Sequence, residues 1–515
     1  MSAVLLAASY PPLHPMVLPF VGLIPLALFI VDRTPDAEGR RSAVRGALLF
    51  GLVYFGVVFY WILIALIWFS KLAILAYVAS VLLLMGVAAL VGWMLHRAVH
   101  DLRVPLWIAL PVAWTAGEWF RAHWPGPLAF PWLGLGTSLT GYPELVGAAE
   151  LVGARGLTFW IALVNGLVAM ALLRLRAPGR RGWMSPLVAG VVVVAVPMTW
   201  GVWRARTLQV RPVARVAVVQ PNIPEHIKLD ARAALDSTFA SLDRLFPRLA
   251  GDSLDLVILP EVTFPLHPRA EYARPWMERV RAYARAVDAP ILFGGIGFEG
   301  DVYGDYVPYN SAFLMTPEGL TDFEYAKRYL VPMVERVPLV PAAWLRKLRH
   351  FGKFGVGQGW PVAHVAGAGW GVLICYESTY PEGSRALRKA GADVLVNITN
   401  DAWYGREPWY ARTTALWQHP AHMVMRAIEN RVGVARSANT GISLFVDPVG
   451  RVYNDTELFT ADVRVDTVYT TDVLTLYTRL GDVTGNGAAL AAFLLMLASW
   501  RRGRRRSLDP TGRRD

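Results

Sequence analysis

The chain is 515 residues long and contains a single cysteine, at position 375. An intramolecular disulfide and any multi-cysteine metal site are therefore excluded. Charge is scarce too: Asp, Glu, Lys and Arg make up 17% of the residues, and only six of the 51 basic side chains are lysines. No basic–aromatic face or nucleic-acid-binding motif accompanies the +12 balance, so nucleic acid is not an expected partner. Gly294-Gly295-Ile296-Gly297 lacks the dinucleotide-binding spacing. His419 and His422 have no clear further ligands around them in the sequence, so neither a metal nor a cofactor is expected. No signal-peptide cleavage pattern follows the first apolar stretch, and the N-terminal region is expected to remain as an anchor.

What the chain does have is hydrophobicity: 54% of residues are hydrophobic and 20 are tryptophan. The apolar residues are unevenly placed. Residues 3–28 are apolar but broken by Pro11, Pro12, Pro15, Pro19 and Pro25, which predicts a short helical hairpin or one kinked helix. Clearer spans are expected near 46–69, 72–96, 104–120, 157–173 and 186–203, with a last one near 484–500. Each is close to the ~20 residues that cross a bilayer, and Trp and Tyr recur near their ends. Seven or eight spans are expected in all.

From about 207 to 475 short β-rich runs alternate with helix-like charged stretches, which predicts an α/β domain. The expected division is membrane helices over 1–206, this domain over 207–475, a membrane helix over 476–503 and a basic tail over 504–515. Arg174, Arg176, Arg180 and Arg181 in one loop, and the arginines beyond 500, predict cytoplasmic placement of both segments. The α/β domain then faces outward, since large domains translocate largely regardless of charge. A basic, aromatic stretch at 343–354 reads as an amphipathic arm for a membrane surface.

Three segments of the α/β domain carry chemistry. Gly-Val-Leu-Ile-Cys-Tyr-Glu-Ser reads as a buried strand that ends at Cys375, a candidate nucleophile. Leu-Val-Ile-Leu-Pro-Glu delivers Glu261, a candidate base whose pKa shelter from water is expected to raise. Tyr-Ala-Lys-Arg-Tyr-Leu-Val-Pro delivers Lys327, placed to stabilise a developing oxyanion together with the backbone N–H after the cysteine. Glu335 and Glu377 are candidates to orient these groups or to balance the lysine. Asn400, Asp401 and Trp403 are expected to shape the loop beside the nucleophile.

Pro-Glu at 260–261, Lys-Arg-x-Leu-Val-Pro at 327–332, Cys-Tyr-Glu at 375–377 and Asn-x-x-Asn-Asp-Ala-Trp-Tyr-Gly at 397–405 resemble the nitrilase superfamily. Glu-Trp-Phe-Arg (118–121), Phe-Pro-Trp-Leu-Gly-Leu-Gly-Thr-Ser (130–138), Gly-Ala-Arg-Gly-Leu (153–157) and Val-Gln-Pro-Asn-Ile (219–223) are similar to its membrane branch, the apolipoprotein N-acyltransferases. The resemblance spans nearly the whole chain. It implies a polytopic α-helical membrane bundle carrying a soluble αββα sandwich of nitrilase type. It implies a Glu261–Lys327–Cys375 triad with Glu335, Tyr376 and Glu377 in support. It also implies transfer of the sn-1 acyl chain of a phospholipid, through a cysteine thioester, to the α-amine of a diacylglyceryl-modified apolipoprotein. The implied setting is a bacterial inner membrane, with the catalytic domain in the periplasm. The rival reading is a membrane-tethered amidase with water as acceptor.

Overall fold

The computed structural model describes residues 1–67, 71, 73–124, 128–178, 182–300, 306–332, 334–336 and 354–508. The amphipathic arm read over 343–354 lies outside these residues except for Phe354, as do Arg180 and Arg181 of the basic loop.

Among the described residues, five helices are long and apolar enough to cross a membrane: Ala37–Val58, Ala73–His100, Ala149–Arg176, Met184–Thr207 and Val483–Gly503. The span expected over 46–69 starts earlier and stops sooner. Asp36 caps its helix by accepting from the Gly39 N–H at 2.7 Å, so the Arg40–Arg41 pair sits inside the first turns rather than in a loop. The helix breaks at Phe59, and a separate short helix follows at Tyr60–Ile67. The expected span at 104–120 is the 17-residue helix Leu106–Ala122, shorter than the other five, with Pro111 inside.

At the N-terminus the prolines give three short helices, Ser2–Ala7, Leu18–Val21 and Ile24–Val31, rather than one hairpin or a kinked rod. Broken backbone inside an apolar bundle needs polar partners. Asn165, fully buried on the helix Ala149–Arg176, supplies them. Its Oδ1 accepts from the Leu23 N–H, and its Nδ2 donates to the Pro19 carbonyl, both at 2.9 Å.

Among the described residues, the α/β domain is built from two six-stranded sheets. The first has the order β12-β1-β2-β3-β4-β5, with β1 Arg211–Gln220, β2 Leu256–Ile258, β3 Ile291–Gly300, β4 Tyr306–Thr316, β5 Gly319–Ala326 and β12 Asp462–Thr470. The second has the order β11-β10-β9-β8-β7-β6, with β6 Val362–Val365, β7 Ala368–Ile374, β8 Val394–Thr399, β9 Gly433–Ala438, β10 Leu444–Val446 and β11 Val452–Tyr453. Alternation along the strands makes four layers. Val216, Val218, Leu256 and Ile258 join the core shared with the second sheet, whereas Ala217, Val219 and Val257 pack outward with Phe239 and Val280 of two covering helices. The helices Pro381–Lys389 and Ala415–Asn430 lie against the second sheet. This is the expected αββα sandwich.

Bundle and sandwich share an interior. Glu150, buried at the foot of the helix Ala149–Arg176, receives Arg204 Nε at 3.0 Å and Arg431 Nε at 2.8 Å. Arg431 also donates to the Gly147 carbonyl, and Glu429 Oε1 accepts from the Ala154 N–H at 2.8 Å. Burial pushes the Glu429 carboxyl up to about 7, against the opposing pull of Arg426.

Candidate active site

Glu261, Lys327 and Cys375 each follow the end of a strand. β2 is a three-residue buried strand, which Leu259 and Pro260 extend and Glu261 terminates. The chain turns sharply there, with Val262 in the left-handed region at φ +43°. Gly294 on β3 allows that turn: a Cβ at this position would lie 2.4 Å from Val262 N and 2.8 Å from Glu261 Cα. Lys327 follows β5 and keeps the sheet pairing through its N–H, which donates to the Asn310 carbonyl at 2.8 Å. Cys375 follows β7 in the left-handed region at φ +52° and opens a 3-10 turn through Thr379. Such a conformation is strained for a side chain with a Cβ and persists only where the surroundings impose it.

The three residues converge. Glu261 Oε1 accepts from Lys327 Nζ at 3.1 Å and from Asn310 Nδ2 at 2.7 Å, while its Oε2 accepts from the Asn400 N–H at 2.9 Å. Lys327 Nζ also donates to Glu335 Oε1 at 2.9 Å, and Glu335 is fixed locally by the Val331 N–H at 2.8 Å. The Cys375 thiol lies in the fields of Glu261, Lys327 and Asp401. Glu261, Lys327, Glu335 and Cys375 are all buried.

Glu377 lies in the field of Lys327, but its hydrogen bonds go to other groups. Its two oxygens accept from Tyr325 Oη, from the N–H groups of Arg328 and Tyr329, and from the Ile374 N–H at 2.8 Å. It therefore ties the strand end that bears the cysteine to the strand end that bears the lysine. Tyr376 points to the membrane region: its ring lies 6.2 Å from Phe130 and 6.4 Å from Trp132, centroid to centroid.

Protonation departs from the sequence expectation in one respect. Burial does press the Glu261 carboxyl upward, but Lys327 and the donors from Asn310 and Asn400 outweigh it and hold the group below the usual carboxylate range. Lys327 is the converse case: burial disfavours its charge, and Glu261 and Glu335 raise its pKa above the ordinary lysine value. Burial and then the Glu261 charge push the Cys375 thiol up, against the opposing pull of Lys327. The resting site thus holds a carboxylate, an ammonium and a protonated thiol. A carboxylate has about four acceptor sites, and three donors occupy Glu261, which leaves one for a thiol proton.

Sequence reasoning passed over Asn310, whose single amide bridges Glu261 and Glu335. An asparagine inside the apolar strand Tyr-Asn-Ser-Ala-Phe-Leu-Met was the available signal. Among the described residues, no three or more His, Cys, Asp or Glu side chains gather as a metal would need.

A family model described as carbon-nitrogen hydrolase matches residues 215–473, and one described as the apolipoprotein N-acyltransferase N-terminal domain matches residues 2–167. The apolipoprotein N-acyltransferase of Geobacter metallireducens is 32% identical over 98% of this chain and 94% of its own. The chain belongs to the apolipoprotein N-acyltransferase family. The member from Chlorobaculum tepidum is 29% identical over 98% of this chain and 96% of its own. A carbon-nitrogen hydrolase superfamily protein of Xanthomonas campestris, among solved structures, is 20% identical with a TM-score of 0.35, covering 50% of this chain and 90% of that one. Membership makes the chain a membrane-bound N-acyltransferase built on a carbon–nitrogen hydrolase domain.

Proposed function

We propose that this enzyme moves the sn-1 acyl chain of a phospholipid onto the α-amine of the diacylglyceryl-cysteine at the N-terminus of an apolipoprotein, by way of a thioester on Cys375. The observation that carries the reading is the Glu261–Lys327 ion pair, buried beside a thiol whose neighbouring ring packs against aromatic side chains of the membrane region. Both substrates are lipids, so a site walled partly by the bundle suits them.

In the first half-reaction Glu261 takes the thiol proton as Sγ attacks the ester carbonyl. Lys327 and the Tyr376 N–H stabilise the oxyanion. Collapse breaks the C–O bond, the lysophospholipid leaves with the proton from Glu261, and the thioester remains. In the second half-reaction the amine attacks that thioester and gives its proton to Glu261. The amide forms, the thiolate departs, and the proton returns to sulfur. Glu335 holds Lys327, Glu377 holds both strand ends, and Tyr376 faces the lipid. Presentation of the amine at high effective concentration lets it outcompete water.

The reading places the enzyme in a bacterial inner membrane with the catalytic domain on the periplasmic side. It divides the chain into helices over 1–206, the catalytic domain over 207–475, a helix over 476–503 and a cytoplasmic tail over 504–515. The test is a radiolabelled phospholipid incubated first alone and then with a diacylated lipopeptide. Label should appear on Cys375 by peptide mass mapping and then chase onto the lipopeptide. Free fatty acid without acylated peptide refutes transfer and establishes a hydrolase.

A further inference from the structure

A buried polar chain runs from the nucleophile's backbone carbonyl through His419 to Asp401 and Arg436, and the proposed mechanism does not use it. His419 Nε2 is 3.1 Å from the Cys375 carbonyl oxygen and its Nδ1 is 2.8 Å from Asp401 Oδ1. Both oxygens only accept, so the ring makes both bonds with a proton on each nitrogen, its charge balanced by the Asp401 carboxylate. Asp401 is fixed in turn by Thr399 Oγ1 at 2.9 Å and by Arg436 Nη2 at 2.5 Å. Arg436 also donates to Asn397 Oδ1. His419, Asp401, Arg436 and Asn397 are wholly buried.

The same imidazole is stacked on the membrane region. Trp132, fully buried, lies 5.4 Å from the His419 ring at an interplanar angle of 22°, and its indole N–H donates to Gln418 Oε1 at 3.2 Å. The Trp132 backbone is clamped to the helix Leu106–Ala122 by Arg121, which donates to the carbonyls of Trp132 at 2.6 Å and Leu133 at 3.0 Å.

We propose that His419 is a positioning residue: by holding the Cys375 carbonyl it aims the Tyr376 N–H at the oxyanion and makes that aim depend on the seating of Trp132. The reason is peptide geometry. In a planar trans peptide the C=O and the next N–H point in opposite directions. Fixing the Cys375 oxygen on His419 therefore turns the Tyr376 N–H away from His419, toward the side on which the acyl carbon is attacked. Cys375 at φ +52° is strained, and this hydrogen bond and the Ile374 N–H donated to Glu377 are among the contacts that hold the turn. A lipid enzyme gains from this arrangement, because its oxyanion donor is in register only when bundle and sandwich are correctly docked.

The inference rests on the acyl-transfer reading above, and its test separates the two. Glutamine extends an amide N–H to the place of Nε2, whereas asparagine reaches only the place of Nδ1. His419→Gln and His419→Asn are compared in the full-length enzyme in proteoliposomes, by single-turnover acylation of Cys375 with phospholipid alone. The expected result is a first-order acylation rate at least about tenfold faster for Gln than for Asn, with equal half-saturation by phospholipid, the scale of a weakened oxyanion donor. A smaller ratio, or a difference confined to half-saturation, overturns the positioning role even if both variants fold. A parent enzyme that forms no thioester brings down the underlying reading first, and this inference with it.

Discussion

Replacing Lys327 by methionine tests the site most severely. The ammonium stands 3.1 Å from Glu261 and 2.9 Å from Glu335, and all three groups are buried. Removing one partner of a buried ion pair typically costs about 3–5 kcal/mol, because the other charge stays behind. Here two carboxylates are left, bridged only by the Asn310 amide. One of them will take up a proton to escape the other, and the Glu261 pKa will rise through burial and the Glu335 charge. The base is then partly lost at neutral pH, and the oxyanion loses a donor that is typically worth about 100-fold or more. Single-turnover acylation by phospholipid, followed by intact-protein mass spectrometry, should fall by at least about 100-fold at pH 7, and its remaining activity should increase with pH. Adding Glu335→Gln removes the like-charge repulsion, so the double variant should recover melting temperature but not rate. Acylation of Lys327→Met within about tenfold of the parent refutes the assignment of Lys327 as oxyanion donor.

Four further outcomes are expected. Cys375→Ala should form no acyl-enzyme, and lipopeptide acylation retained in that variant would remove the thioester from the mechanism. The Glu261 pKa is held down, so the base is present above its depressed pKa and is lost only as pH falls through it. Acylation by phospholipid should accordingly be flat from about pH 6 to 8, and a decline below pH 7 would mean that the carboxylate is raised instead. Gly294→Ala would press a methyl into the Glu261 turn and should slow acylation by about 100-fold, the effect of roughly 1 Å of misplacement. An unchanged rate there would mean that the turn yields without moving the carboxylate. Glu377→Gln offers amide hydrogens to a pocket of four donors, so melting temperature and rate should fall together, by about 1–3 kcal/mol in stability for each donor left unmatched. A thermally unshifted Glu377→Gln enzyme would contradict that account.

The candidate site was largely legible because a β-rich run that ends on a lone reactive side chain is a local signal. Glu261, Lys327 and Cys375 each follow a strand, whereas the residues alone indicated an α/β domain and the layered sandwich followed from the family resemblance. The sign of the Glu261 shift was not legible. It depends on Asn310, Lys327 and Asn400, which come from three other segments, and no local pattern announces their convergence. The helix break at Phe59 and the early start at Ala37 were hidden for a different reason. Hydropathy follows apolar content, whereas the start is set by the Asp36 cap and the backbone leaves the helix at Phe59 within a continuous apolar run. His419 was weighed for function only as a metal ligand because the residues it joins, Trp132, Cys375 and Asp401, are far from it in sequence.

The way Glu150 reaches across to Arg431 bears on how such an enzyme can be handled or evolve. A catalytic portion severed near Leu208 would keep Arg431 in its interior and forfeit the carboxylate that neutralises it, and it would bare the hollow that Trp132 occupies. The bilayer portion therefore acts less as a leash than as one wall of the chamber around the Cys375 segment.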